Sequence, residues 1–144
     1  MTVYLDTSSA IKLYISEAGS DEVRRLARDA TIVATSAVTY AETRAALARL
    51  RREGALTVAK FRSAKRQFED QWPNFMKLDA TDALCRTAGE FAEQYRLRGF
   101  DSVHLASFAE VALRAGLRET RFSSFGDRLN EAARKLARRL KRQS

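Results

Sequence analysis

The chain has 144 residues, 45% of them hydrophobic, enough to build a buried core and too many for a disordered or collagen-like polymer. Lys and Arg number 26 against 18 Asp and Glu, and the formal charge of +8 favours a polyanionic partner or an acidic protein over a neutral small molecule, although a purely solvating basic surface would look the same. One cysteine excludes a disulfide framework and a cysteine-rich zinc site and fits a reducing compartment.

The start Met-Thr-Val-Tyr-Leu-Asp lacks the basic-then-apolar pattern of a secretion signal. No apolar run nears the roughly 18 residues of a membrane helix. The expectation is a single cytoplasmic domain over residues 1–144. With one Pro and six Gly the chain has few breaks.

Thr2 to Leu5 reads as a β-strand that stops at Asp6. Residues 7–15 read as a helix with Ala10, Ile11, Leu13 and Tyr14 on its apolar face. Gly19-Ser20-Asp21 opens a charged helix to about Asp29, and Thr31 to Ala34 is a second strand. Thr35 and Ser36 are placed to cap a long helix that runs to about Glu53, where Gly54 closes it. A helix over about 56–70 stops before Trp72-Pro73, and Phe75 to Leu78 is a third strand. Thr81 to Tyr95 is helical, and after Gly99 a helix begins at Asp101 and runs through Leu113. Thr120 to Ser123 is a fourth strand, and Asp127 to about Arg139 is the last helix, with a basic tail of about 134–144 that belongs to it or follows it. Strands alternating with helices give an α/β fold with a parallel sheet covered on both faces. In such folds the ligand site lies beyond the carboxyl ends of the strands.

Several acids fall at that edge. Asp6 directly follows the first strand, where it either caps the next helix or faces the crevice. Glu42 lies within a helix beside Val38, Ala45 and Ala46, a face of small apolar residues where an acid is normally avoided unless it pairs with a base such as Arg49. Asp101 and Asp127 stand near helix starts, where capping alone would explain them. Carboxylates gathered at one edge repel, and their pKa values rise unless a cation holds them. An oxygen-only set that retains water suits Mg²⁺, or Mn²⁺. Such a site hydrolyses phosphodiesters, and the basic surface would hold the nucleic-acid backbone.

Four segments then resemble a known family: Val-Tyr-Leu-Asp-Thr-Ser-Ser-Ala-Ile-Lys-Leu-Tyr, Thr-Tyr-Ala-Glu-Thr-Arg-Ala-Ala-Leu, Arg-Gly-Phe-Asp-Ser-Val-His-Leu-Ala-Ser and Phe-Gly-Asp-Arg-Leu-Asn-Glu-Ala-Ala. In order and spacing they are similar to the PIN-domain family and, within it, to the VapC toxins of bacterial toxin–antitoxin modules. The resemblance implies a three-layer fold with a central, mostly parallel sheet of four or five strands. It implies a Mg²⁺- or Mn²⁺-dependent endoribonuclease that cuts cellular RNA and inhibits translation and growth. A cognate antitoxin and a homodimer are implied as well, and no membrane.

Carried over by motif, Asp6, Glu42 and Asp101 fall on the acidic cluster as catalytic and metal-binding residues, and Ser8 on a hydroxyl position that orients the first acid. The fourth motif departs. Relatives place an acid directly after Phe, whereas here Gly126 follows Phe125 and the acid is Asp127, a shift that turns a helical side chain by roughly 100°. Asp127 either serves as a fourth catalytic acid from this shifted position or leaves the site with three. This departure keeps open a second class, a weakened PIN-like module that binds RNA or an antitoxin without cutting. An aspartate-nucleophile phosphatase is excluded, since Ser8 stands where a second Asp is required.

Other residues carry bland readings beside functional ones. His104, the only histidine, reads as a packed, hydrogen-bonded ring rather than a general base, and Cys85 as a small core residue. Lys12, Arg44, Arg49, Arg51, Arg52, Arg96 and Arg98 are candidate phosphate contacts or solvated surface. Tyr14, Trp72 and Phe75 read as packing residues rather than base-stacking ones.

Overall fold

Thr2–Leu5 is buried along its whole length, which is why it reads as a continuous apolar run rather than an alternating one. In the computed structural model, which describes all 144 residues, this strand (β1) lies inside a four-stranded sheet with β2 (Ile32–Ser36), β3 (Met76–Leu78) and β4 (Thr120–Ser123). The order is β3-β2-β1-β4 and every pairing is parallel, with Val3 opposite Val33 on one side and Arg121 on the other. Seven helices surround it: α1 (Thr7–Ala10), α2 (Ser20–Asp29), α3 (Val38–Arg52), α4 (Val58–Gln71), α5 (Asp82–Tyr95), α6 (Gly99–Ala115) and α7 (Asp127–Gln143). This is the three-layer α/β fold expected, with four strands.

The alternation of β1 divides the core. Tyr4 packs with Leu105, Phe108, Val111, Leu129 and Leu136 on the face covered by α5, α6 and α7. Val3 and Leu5 point the other way, onto Ala10 and Val23 of α1 and α2. A third cluster joins Ile11, Tyr14 and Leu47 to Ala64 and Phe68 of α4, with Trp72 and Phe75 against it, so these aromatics pack as expected.

Local details differ from the sequence reading. The helix expected over 7–15 is one turn of α-helix, Thr7–Ala10, tightening into a 3₁₀ turn, Ile11–Leu13. The chain then turns through Gly19, whose φ of +92° lies in the left-handed region and where a Cβ would fall 2.5 Å from the Phe125 ring, so only glycine fits. Thr35 does not cap α3: its hydroxyl donates to the Leu5 carbonyl across the sheet, and Ser36 Oγ accepts from the Val38 N–H instead. Cys85 is exposed rather than in the core. The basic tail continues α7, which buries Leu129, Ala132, Ala133 and Leu136 and leaves most of its cations in water. No helix is long and apolar enough to cross a membrane.

Because β2 and β3 are added on one side of β1 and β4 on the other, the connections reverse direction between β1 and β4. In parallel α/β sheets the crevice beyond the carboxyl ends at such a reversal is where ligands bind.

Candidate active site

Asp6 sits at that reversal. It ends β1, its N–H donates to the Ser123 carbonyl of β4, and its backbone is extended where α1 begins. Asp6 is 5% exposed, and its carboxylate is held by three donors. Ser8 Oγ (2.7 Å) and the Ser9 N–H (3.0 Å) donate to Oδ1, and Ser124 Oγ donates to Oδ2 at 2.6 Å. Asp6 therefore caps: Oδ1 closes the helix start, and Oδ2 meets Ser124 just past the end of β4. Ser8 occupies the orienting position read from the sequence and also accepts from the Phe125 N–H, tying β1 to the loop after β4.

Glu42 reaches the site from the first half of α3. Its neighbours Val38 and Ala46 are half-buried and Ala45 is exposed, so its face is the rim of a cleft rather than a buried apolar surface. Oε1 accepts from Thr7 Oγ1 at 2.6 Å and faces His104 Nε2 at 2.9 Å. Arg49, the partner considered from sequence, lies instead 3.9 Å from Glu53. Burial works to raise the Glu42 carboxyl, but the hydrogen bonds from His104 and Thr7 together hold it below its ordinary value.

Asp101 is the third residue of α6 rather than its cap, a place that falls to Arg98. It lines a cleft of about 660 Å³ together with Glu42, Arg98, Gly99, Phe100 and Val103. Burial raises its carboxyl above the ordinary value, with the charges of Asp6 and Glu42 adding to it against the pull of Arg98, whose Nε is 3.8 Å away. The Asp101 carboxyl is thus raised first by burial and only secondarily by its acidic neighbours, while at Glu42 protein donors outweigh burial.

Asp127 stands apart. It is exposed in the first turn of α7, where a negative charge suits the helix dipole. The residue just before the fourth motif reaches Asp6 through a hydroxyl: Ser124 Oγ donates to Asp6 and accepts from the Gly126 N–H at 3.0 Å. Neither Ser124 nor Thr7 was singled out from the sequence. The signal for both is in the sequence, a hydroxyl one or two residues beyond the end of a strand of a parallel sheet.

No three His, Cys, Asp or Glu side chains close on a common point in this arrangement. The donor chemistry nevertheless suits a hard divalent cation. Glu42 Oε2 has no protein donor, Asp6 Oδ2 has one, and Asp101 is engaged only by the distant Arg98 guanidinium. Mg²⁺ is held through few carboxylates and keeps several waters, so carboxylate oxygens with spare lone pairs suit it without a closed cage.

The candidate phosphate contacts separate into engaged and free. Lys12 is tied down, with Nζ 2.7 Å from Glu17, 2.8 Å from the Ala18 carbonyl and over the Phe125 ring. Arg44 is paired at 2.6 Å with Glu69, and Arg51 donates to the Leu56 carbonyl. Arg98, 92% exposed and 3.8 Å from Asp101, leaves most of its guanidinium open to a ligand. Next to it Phe100 is 60% exposed, a large apolar ring in water at the mouth of the cleft.

Residues 3–135 match the PIN domain family. Two curated relatives, Ribonuclease VapC45 of Mycobacterium tuberculosis (strain CDC 1551 / Oshkosh) and Ribonuclease VapC49 of Mycobacterium tuberculosis (strain ATCC 25618 / H37Rv), are each 37% identical over 109 residues, covering 76% of this chain and 76% of the relative.

Proposed function

Because the chain belongs to the PIN-domain family, as a VapC-type member, we propose that it is the toxin of a toxin–antitoxin module, a Mg²⁺- or Mn²⁺-dependent endoribonuclease acting as one domain. One observation supports this reading most: Glu42 of α3 and Asp101 of α6 line the same cleft, and Asp6 directly follows β1 at the reversal of the sheet. Asp6, Glu42 and Asp101 would hold the cation. When bound, it supplies an activated water and stabilises the charge that develops on a phosphodiester.

The chain's own residues do the rest. Ser8, Ser9 and Ser124 fix the Asp6 carboxylate, so little reorganisation is needed at that ligand. Arg98 offers a phosphate contact and Phe100 a flat face, the two kinds of group a single-stranded nucleic acid engages. The net charge of +8 supports the same substrate. Family membership supports an antitoxin that covers this crevice and a homodimer.

The non-cutting alternative rests on Gly126. Against it stand the three remaining acids and the Ser124 hydroxyl on Asp6. The test is incubation of total bacterial RNA with purified, antitoxin-free protein in Mg²⁺, Mn²⁺ or EDTA, beside Asp6→Asn. Cleavage that is lost with EDTA and in Asp6→Asn is the expected result. RNA retained intact but bound would establish the non-cutting module instead.

A further inference from the structure

His104 is the chain's only histidine, 2% exposed, and both ring nitrogens are engaged. Nε2 lies 2.9 Å from Glu42 Oε1 and 3.2 Å from Thr7 Oγ1, and Nδ1 lies 2.8 Å from the Tyr4 hydroxyl. An ionised carboxylate only accepts, so Nε2 carries the hydrogen and donates it to Glu42. With Nδ1 bare it accepts, and Tyr4 donates. Tyr4 is fully buried in β1, stacked on Phe122 and edge-on to Phe108, so its hydroxyl is fixed by the core. Oε1 of Glu42 thereby receives two donors, His104 and Thr7, while Oε2 receives none.

From this geometry we propose that Tyr4 and His104 are positioning residues: a buried chain from the Tyr4 hydroxyl through the His104 ring holds Glu42 by Oε1 and keeps its second oxygen available to the cation. The inference rests on the reading of Glu42 as part of the cation-binding set. It assigns the histidine a task that neither core packing nor general-base catalysis describes. A glutamate reaching from α3 would otherwise populate several rotamers, and the central strand of the sheet selects one of them through α6. Outer partners that orient a ligand in this way typically alter metal affinity or activity by about 10–100-fold when removed.

A single histidine makes the test direct. In untagged, metal-free protein labelled with ¹⁵N-histidine, long-range ¹H–¹⁵N spectra at neutral pH should show one ring, protonated at Nε2. An Nδ1-protonated ring, or one averaging between both forms, overturns the proposal. The second readout is Mn²⁺ affinity by electron paramagnetic resonance in protein shown to be folded. Tyr4→Phe and His104→Leu should weaken binding, the latter by about 10-fold or more. His104→Gln, which restores an N–H donor toward Glu42, should recover most of the loss. Unchanged Mn²⁺ affinity in His104→Leu and Tyr4→Phe overturns this inference alone and leaves His104 as packing. Wild-type protein that binds no Mn²⁺ overturns the cation reading, and the inference with it.

Discussion

Replacing Ser124 by Ala removes one oxygen that joins the end of β4 to the buried acid at the end of β1. That oxygen donates to Asp6 Oδ2 at 2.6 Å and accepts from the Gly126 N–H at 3.0 Å. A hydrogen bond to a charged group contributes about 1.5–3 kcal/mol, and a neutral one about 0.5–1.5 kcal/mol. Asp6 is 5% exposed, so water replaces the lost donor poorly. The half-buried Gly126 recovers part of its loss from solvent. The sum is about 2–3 kcal/mol, which for a domain of this size lowers Tm by about 6–9 °C. Scanning calorimetry in EDTA measures it, and excess Mn²⁺ should shrink the gap, since a bound cation compensates the Asp6 charge in place of the hydroxyl. A Ser124→Ala protein melting within about 1 °C of wild type in EDTA would refute the claim that Ser124 holds Asp6.

Gly126→Asp should fold as wild type, because a Cβ there would meet only Ser124 Oγ at 3.5 Å and Leu129 Cβ at 3.7 Å, ordinary contacts. The added carboxylate should tighten Mn²⁺ binding severalfold, and an unchanged affinity would place that position out of reach of the cation. Arg98→Ala should leave Tm unaltered, as the side chain is 92% exposed, while reducing the salt dependence of RNA binding by about one unit of slope. A slope equal to that of wild type would remove Arg98 from the RNA contact. The hydrogen bond from Tyr40, and then Arg44, holds the Glu69 carboxyl below its ordinary value of 4.5. Its stabilisation is therefore fully present above that value and is lost as pH falls through the lowered one. Glu69→Gln should melt below wild type at pH 7, with the gap closing in strong acid, whereas a gap independent of pH would contradict the pairing.

Much of this fold was legible because its signals are local. Thr2–Leu5 is an apolar run that stops at an acid, and the alternation of short strands with helical periods leaves few topologies besides a parallel sheet. Motif order then located Asp6, Glu42 and Asp101 at the carboxyl edge. What could not be read were distances between elements. Ser124 lies 118 positions from Asp6, and Tyr4 lies 100 from His104, so no periodicity connects them. Lys12 and Arg44 looked free because a basic residue carries no sign of the carboxylate that folding brings to it. The fate of Thr35 was hidden for a related reason. A hydroxyl at a helix start caps by default, and only the sheet shows that the Leu5 carbonyl claims it.

The measurement that bears most directly on the account is the position of Mn²⁺ by anomalous diffraction from crystals of the wild-type protein. The account predicts a single ion in the crevice between β1 and β4, ligated by Asp6 and Asp101 at about 2.0–2.2 Å with Glu42 bound directly or through one water. An ion bound elsewhere, or none in crystals of protein that still cleaves RNA, would contradict it.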